Sequence, residues 1–314
     1  MIDQNHEPLV SVVIPTRNRA ELLAAAVRSV LDQTYRNFEL IIVDDASEDG
    51  TREMVARLSD PRIRYIRHDA VKGGGAARNT GIRSSRGEYI SFLDDDDEWL
   101  PSKLELQVGY LERKRSADVV YTGLSVRELD SGKPAGKVVP LKRGDIFADL
   151  LAGNCVGTAS SVILRRDCLD TGDLFDENLP SCQDWDMWLK LSKSCRFDYI
   201  SEPLVVYHLH GKRITSSDES ALAGREMVFE KYRDEIESDR SLSGRHHLMI
   251  GSLYCRLGEM KRGREEIRES IRLRPGSVTG LATYAASLLG SRVYSLLYTY
   301  TPTRWKWRIV RSAA

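Results

Sequence analysis

The chain has 314 residues, 41% of them hydrophobic, and its 46 lysine and arginine residues balance 46 aspartate and glutamate residues. This apolar content suffices for a packed core, so the composition excludes a mainly disordered protein, and the length suits one large domain or one domain with an appendage. The formal net charge of zero argues against nucleic acid as a partner, because such binding rests on a strongly basic surface.

The five cysteines and the first residues of the chain bear on whether the protein is secreted or stays in the cytoplasm. The cysteines include no Cys-x-x-Cys pair, so neither a zinc module nor a disulfide framework is predicted, and reduced thiols are expected. Residues 1–7 are polar and lack the basic and apolar regions of a secretory signal. We therefore expect a cytoplasmic protein.

The first hundred residues predict strands and helices that alternate. The apolar run from Leu9 to Ile14 predicts a buried strand, and Asn18 with Glu21 resembles a capping box that opens a helix. Further strands are predicted at residues 38–43, 63–67 and 89–93. The alternation favours an α/β fold with a doubly wound, mostly parallel sheet, in which ligands bind at the carboxyl ends of the strands.

After Pro101 the pattern is less regular. Strands are predicted at 119–126, 160–164 and 205–208, with a Gly/Lys/Pro-rich loop between the first two and a Trp-rich helix from Asp184. From about residue 217 only helices are predicted, which divides the chain into a first domain, residues 1–217, and an all-helical C-terminal region, residues 218–314.

The C-terminal region carries two recognisable patterns. The spacing of a single tetratricopeptide-like helical hairpin is matched by Leu248, Tyr254, Gly258, Ile267, Ile271 and Pro275. Residues 278–300 are apolar and tyrosine-rich, and a basic segment with two tryptophans, residues 304–311, follows. Two interpretations remain open for this end of the chain: a segment that lies on the cytoplasmic face of a membrane, and a hydrophobic face docked on the protein's own core.

Four consecutive aspartates, Asp94 to Asp97, follow the fourth predicted strand. Adjacent carboxylates raise one another's pKa unless a cation lies between them, and hard oxygen ligands suit Mg²⁺ or Mn²⁺. The cluster therefore indicates a divalent metal site, with an acidic loop that caps the next helix as the alternative.

Two further stretches face the same predicted edge of the sheet. Asp45 ends the second predicted strand, where a carboxylate can accept hydrogen bonds from a base or a ribose. The glycines at 73–75 open a helix whose free N–H groups suit an anion, and Arg78 lies in its first turn. A helix cap at Asp45 and a plain flexible loop at the glycines are the structural alternatives.

A carboxylate and two imidazoles in the later half are also candidates. Asp184 lies four residues before Trp188 on a predicted helix, and desolvation by an aromatic wall suits a general base. His208 and His210 share one side of a strand, from which an imidazole can reach a metal or a diphosphate. A helix start with a buried tryptophan, and two surface histidines, are the corresponding alternatives.

Together these residues resemble family 2 glycosyltransferases of the GT-A fold, over roughly residues 9–217. The matching stretches are residues 10–18, 31–35, 39–51, 75–79 and 87–97. The resemblance implies a nucleotide-diphosphate sugar donor, an acceptor hydroxyl on a glycan or a lipid-linked carrier, and inversion at the anomeric carbon by a single displacement. At the family's late acidic pair, Gln183 stands where Glu is usual and Asp184 follows it.

The resemblance also implies site roles. The nucleotide-binding residues are Asp45 at the base, Pro15 and Arg78 in the pocket wall, and Asp94 near the ribose. The general base is Asp184. The metal ligands are Asp96 and His210, and the assignment within the acidic cluster stays open among Asp94, Asp96 and Asp97.

Two other functions are compatible with the same crevice. A nucleotidyltransferase would share the acidic metal site, although the glycine-rich triphosphate loop it needs is missing near the first strand. The other is a non-catalytic assembly protein, in which the sugar-nucleotide fold is vestigial and the helical region recruits partners.

Overall fold

The computed structural model describes residues 7–169, 172, 174–209, 217–300 and 309–310. Its strands are β1 (Val10–Thr16), β2 (Phe38–Asp44), β3 (Ile63–Arg67), β4 (Tyr89–Phe92), β5 (Glu98–Trp99), β6 (Val119–Glu128), β7 (Pro134–Val138), β8 (Val162–Arg165), β9 (Phe197–Leu209) and β10 (Ile309–Val310). Its helices are α1 (Ala20–Leu31), α2 (Thr51–Ala56), α3 (Gly74–Ser84), α4 (Lys103–Arg113), α5 (Phe147–Leu151), α6 (Gln183–Leu191), α7 (Asp218–Lys231), α8 (Arg233–Glu237), α9 (Arg240–Arg256), α10 (Met260–Leu273), α11 (Val278–Ser287) and α12 (Ser291–Tyr300).

These strands form one mixed sheet. The order along it is β10-β7-β6-β8-β4-β1-β2-β3, and β9 pairs with both β6 and β5. The strands β3, β2, β1 and β4 are parallel neighbours, whereas β8 runs antiparallel to β4 and β6. The predicted α/β fold with parallel central strands is confirmed, and the carboxyl ends of these four strands lie along one edge.

The central strands are apolar because both of their faces are covered. All seven residues of β1 are buried. Val13 belongs to the core cluster on one face of the sheet, whereas Val12 and Ile14 belong to the cluster on the other. This alternation is what a strand with helices on both sides requires, and it explains why the sequence shows an uninterrupted apolar run there.

The helices after residue 217 pack on the first part of the chain. Leu222, Val228 and Phe229 of α7 belong to the same core cluster as Trp185 of α6. The buried Asp186 carboxylate accepts hydrogen bonds from Lys231 Nζ at 3.1 Å and Tyr232 Oη at 3.3 Å. α7 is thereby held against α6, and the boundary at residue 217 remains a prediction.

The hairpin of α9 and α10 is antiparallel and closely packed. A Cβ atom built on Gly251 of α9 would lie 2.8 Å from the carbonyl oxygen of Gly263 of α10, so glycine is needed for this approach. The turn between the helices contains Gly258 at φ +87°. A helical hairpin thus stands where the repeat-like spacing predicted one, and its relation to tetratricopeptide repeats stays a prediction.

Three local features differ from the sequence-based expectations. Within the predicted Gly/Lys/Pro-rich loop, residues 134–138 form β7, which pairs antiparallel with β6. In the C-terminal region, β10 pairs with β7 and joins the sheet. Asn18 does not cap α1: it has φ 52°, and its Oδ1 accepts a hydrogen bond from the N–H of Glu48 instead.

Candidate active site

The carboxyl ends of β1, β2 and β4 bring four of the predicted site residues, Pro15, Asp45, Asp94 and Asp96, to one edge of the sheet. Pro15 is buried near the end of β1, opposite Val43 of β2. The N–H of Asp45 donates to the carbonyl oxygen of Thr16 at 2.9 Å, which ties the ends of β1 and β2 together. The ends of β1 and β2 therefore lie side by side at the base of the candidate site.

The Asp45 carboxylate organises the loop before α3. Its oxygens accept hydrogen bonds from the N–H groups of Lys72 and Gly73, each at 2.8 Å, and lie 2.8 Å from His68 Nδ1. Burial alone would raise the pKa of Asp45, but the hydrogen bonds from His68, Lys72 and Gly73 outweigh burial and lower the pKa. Asp45 is therefore an anion that fixes this loop, and a direct contact with a nucleobase stays a prediction.

His68 supports Asp45 from behind. It is buried, and its second ring nitrogen, Nε2, lies 3.0 Å from Thr80 Oγ1 of α3. The imidazole thus bridges the end of β2 and the body of α3. Sequence reasoning missed His68, because a lone histidine after a strand carries no signal of its partners.

The consecutive aspartates point in different directions. Asp95 accepts hydrogen bonds from Thr16 Oγ1 at 2.8 Å and from Arg19 Nη1 at 2.9 Å, so it turns toward the end of β1. Asp97 is buried and accepts a hydrogen bond from Ser160 Oγ at 2.6 Å. Arg19 Nη1 also donates to Asp96 Oδ2 at 3.0 Å, and the carboxylates of Asp94, Asp96 and Asp97 form the cluster that could hold a cation.

The chemistry of these three carboxylates fits a divalent cation. One oxygen from each of Asp94, Asp96 and Asp97 lies within 4.8 Å of the others, and hard oxygen donors suit Mg²⁺ or Mn²⁺. Burial, followed by the charges of Asp96 and Asp94, raises the pKa of Asp97 well above its ordinary value, which is the electrostatic conflict that a bound cation relieves. Asp96 lies in this cluster with Asp94 and Asp97, and its role as a metal ligand stays a prediction.

Of the two predicted histidines, only His208 lies in the part of the chain that the structure describes. His208 Nδ1 is 2.9 Å from the carbonyl oxygen of Asp96, and Nε2 is 3.5 Å from Glu98 Oε1. His208 therefore borders the acidic cluster through its imidazole ring, which contacts the backbone of Asp96. His210, predicted as a metal ligand, lies outside the described residues.

Arg78 lies between the acidic cluster and the start of α6, which carries the predicted base. Its guanidinium donates to Asp94 Oδ1 at 2.5 Å and to Gln183 Oε1 at 3.0 Å. Arg78 is 9% exposed, and its Nε has no hydrogen-bond partner among the described residues. A Cβ atom on Gly74 would lie 3.3 Å from Arg78 Nη1 and 3.4 Å from Gln183 Oε1, so the Gly73–Gly75 loop also reaches this point.

Asp184 lies beside Arg78 in the first turn of α6. Its Oδ2 accepts a hydrogen bond from the N–H of Ala159 at 3.1 Å. Burial raises the pKa of Asp184 to about 6, the charge of Arg78 opposes this rise, and the charge of Asp94 adds to it. A carboxyl group with a pKa near neutrality in a cleft is suited to proton transfer.

Two residues with hydroxyl side chains, Thr158 and Ser160, contact the acidic cluster, and the sequence did not indicate them. Thr158 Oγ1 donates to Asp94 Oδ2 at 3.1 Å, and Ser160 Oγ accepts from the N–H of Asp94 at 3.1 Å while donating to Asp97. Both precede β8, about sixty residues after the aspartates along the chain. Ordinary serine and threonine in a loop give no sequence signal for such a contact.

Comparisons with known proteins identify the family of this chain. The sequence model of Glycosyl transferase family 2 matches residues 11–168. TuaG of Bacillus subtilis (strain 168), named as a glycosyltransferase of teichuronic acid biosynthesis, is 34% identical over 216 residues, which are 68% of this chain and 84% of TuaG. The Escherichia coli UDP-Glc:alpha-D-GlcNAc-diphosphoundecaprenol beta-1,3-glucosyltransferase WfgD is 34% identical over 185 residues, 59% of this chain and 70% of WfgD.

A solved structure shares the fold. The crystal structure of Staphylococcus aureus TarS 1-349 in complex with UDP-GlcNAc has a TM-score of 0.65 at 18% identity, and the match covers 91% of this chain and 88% of that one. The family match spans β1 to the end of β8, which includes Asp45, Arg78 and the aspartate cluster. The chain therefore belongs to glycosyltransferase family 2 and is a glycosyltransferase of the GT-A fold.

Proposed function

We propose that this enzyme transfers a sugar from a nucleotide-diphosphate sugar to a hydroxyl group of a glycan or lipid-linked acceptor, with inversion at the anomeric carbon. The observation that carries the proposal is the contact of one buried arginine, Arg78, with Asp94 on one side and with Gln183, the neighbour of Asp184, on the other. This contact supports a shared site for a donor-side acidic cluster and a candidate base. The names of TuaG and WfgD support an envelope glycan or a lipid-linked glycan as acceptor.

The donor nucleotide is assigned to the edge formed by β1, β2 and the start of α3. Asp45 holds the Lys72–Gly73 backbone in place, and α3 presents its N-terminus next to Arg78, where a diphosphate is favoured. The unpartnered Nε of Arg78 is a further donor for a phosphate oxygen.

Asp94, Asp96 and Asp97 are the residues that would hold a Mg²⁺ or Mn²⁺ ion. Such an ion supplies Lewis-acid stabilisation of the charge on the leaving nucleoside diphosphate. Thr158 and Ser160 keep the carboxylates of Asp94 and Asp97 oriented toward the cleft.

Asp184 is the proposed general base. Its carboxylate accepts the proton of the acceptor hydroxyl, whose oxygen forms a bond to the anomeric carbon. The bond between that carbon and the donor phosphate oxygen breaks on the opposite face, and its electron pair leaves with the nucleoside diphosphate. A single displacement of this kind inverts the anomeric configuration.

The first experiment screens donors and then tests the metal requirement and the stereochemical course. Purified protein with Mn²⁺ or Mg²⁺ is incubated with UDP-, GDP- and dTDP-sugars, and release of the nucleoside diphosphate is measured with and without lipid-linked acceptors. The anomeric configuration of the product is then determined by NMR. Chelation with EDTA should abolish release, and a product that retains the donor configuration would contradict the proposed displacement.

The two alternative functions make different predictions in the same experiment. A nucleotidyltransferase would release pyrophosphate from a nucleoside triphosphate, and a vestigial protein would bind no nucleoside diphosphate in the presence of Mn²⁺. Membership in a glycosyltransferase family favours the transferase over both.

A further inference from the structure

The helices α11 and α12 each bury one side and expose an apolar opposite side. On the buried side, Tyr294 of α12 packs with Leu248, Cys255 and Ile267 of the α9–α10 hairpin. Exposed leucines of the two helices and of the turn that follows α11 form a set that we name the leucine face, whose members are 42% to 66% exposed: Leu281, Leu288, Leu289, Leu296 and Leu297.

The spacing of these leucines gives each helix one apolar stripe. Leu281 and Leu288 are seven residues apart, which is two helical turns, and the exposed Ala285 lies between them on the same side. On α12, the exposed Val293 and Leu297 repeat the four-residue spacing. Scattered single leucines on a surface need no explanation, whereas a continuous exposed patch marks an interaction site.

Along the sequence, the charged residues of the leucine face and beyond it all have one sign. After Glu269 the sequence contains no acidic residue and seven basic residues, so the compensating negative charge lies in the first 269 residues. Between Arg274 and Arg304 the only charged residue is Arg292. An apolar surface whose flanking sequence is basic matches the chemistry of an anionic bilayer, with acyl chains beneath negative headgroups.

The helix lengths indicate how such a surface would meet a bilayer. α11 and α12 have ten residues each, or about 15 Å of helix, which is half of the roughly 30 Å thickness of the hydrocarbon core. Among the described residues, no helix is both long enough and apolar enough to cross a membrane. Helices of this length can instead lie along the boundary between headgroups and acyl chains.

We propose that the leucine face is a membrane-docking surface that inserts shallowly into a bilayer containing anionic lipids. A second copy of the chain fits the face less well, because a two-fold contact would bring Arg292 of both copies, with no acidic residue of α11 or α12 to pair with it, to the same interface. Docking is independent of the transfer reaction and holds the enzyme where lipid-linked acceptors lie.

The test uses the full chain and sedimentation with vesicles, which does not depend on enzyme activity. The vesicles consist of phosphatidylcholine alone or of phosphatidylcholine mixed with phosphatidylglycerol. The variants are Leu296→Glu, at a position 66% exposed, and the matched control Leu141→Glu, 60% exposed in the segment between β7 and α5. Because both side chains are exposed, neither variant should alter the thermal unfolding midpoint.

We expect the wild-type protein and Leu141→Glu to bind phosphatidylglycerol-containing vesicles equally, and to bind less as salt is raised. Leu296→Glu should bind at least about tenfold more weakly, because a buried leucine contributes roughly 1.5 to 3 kcal/mol. The proposal is overturned if wild-type protein does not sediment with these vesicles, or if both variants behave alike. It is also overturned if Leu296→Glu dissociates a dimer that binds no vesicles, which would assign the face to a second copy.

Discussion

Replacing Asp184 with asparagine removes the proposed base with little change in shape. An asparagine Oδ1 can still accept the hydrogen bond from the N–H of Ala159, and the neighbouring Gln183 keeps its contact with Arg78. We therefore expect the Asp184→Asn protein to fold normally and to bind the donor no more weakly than wild type. The loss should fall on kcat.

The expected size of this loss follows from the role of the group. General-base catalysis contributes about 10²- to 10⁴-fold to a rate, so kcat should fall about a thousandfold, or roughly 4 kcal/mol in activation free energy. The wild-type rate should also fall in acid, because Asp184 must be ionised and its pKa is raised to about 6. At pH 5 only about a tenth of such a group is ionised.

The assay measures kcat and kcat/KM by nucleoside diphosphate release from pH 5 to pH 8. The Asp184→Asn variant should show a flat profile in this range, whereas wild type should lose activity below about pH 6. The charge of Asp94 raises the pKa of Asp184, and a cation bound to Asp94 would cancel this effect. The acid limb of the wild-type profile should therefore lie at or below about pH 6. The exposed Asp130 supplies the control Asp130→Asn, which should match wild type. Asp184 is not the general base if Asp184→Asn keeps more than about a tenth of the wild-type kcat.

Three further predictions concern the surroundings of α6. Gln183→Glu adds a like charge beside Asp184 and should raise its pKa, so the acid limb of kcat/KM should move to higher pH; an unchanged limb would contradict this. Burial lowers the pKa of His246 to about 4 from 6.5, so the unfolded chain binds the proton more readily and stability should fall by about 3 kcal/mol as the pH drops from 6.5 to 4. Urea unfolding at the two pH values measures this loss, and His246→Gln should remove most of it. Asp186→Ala leaves Lys190 and Lys231 without their shared carboxylate. The variant should lower the free energy of unfolding, measured in urea, by about 3 kcal/mol. A change below about 1 kcal/mol would show that the ion pairs contribute little.

The parallel half of the fold could be predicted because its signals are local. β3 has the predicted bounds, Ile63–Arg67, and β2 differs from its prediction by one residue. A strand buried on both faces is a short apolar run ended by turn residues, and both features are visible in the sequence. β7 and β10 were missed because β7 is short and partly exposed, and because β10 pairs with a strand about 170 residues earlier in the chain.

The site was predicted in its composition and only partly in its arrangement. The run Asp94–Asp97 identified a candidate cation site, but the direction of each carboxylate depends on distant partners. Asp95 turns to Arg19, and Asp94 meets Thr158. No sequence spacing encodes these contacts, because they join loops that the sheet brings together.

The sequence by itself determined the alternation of strands and helices and the position of acidic residues at the strand ends. Such features follow from side-chain periodicity along a few residues. Only the tertiary structure decided that Arg78 links Asp94 to the start of α6, and that His246 of α9 stacks on Trp185 with ring centroids 6.0 Å apart. The physical reason is that these contacts depend on how separate elements pack, and a burial that shifts the pKa of Asp184 or His246 exists only after the chain has folded.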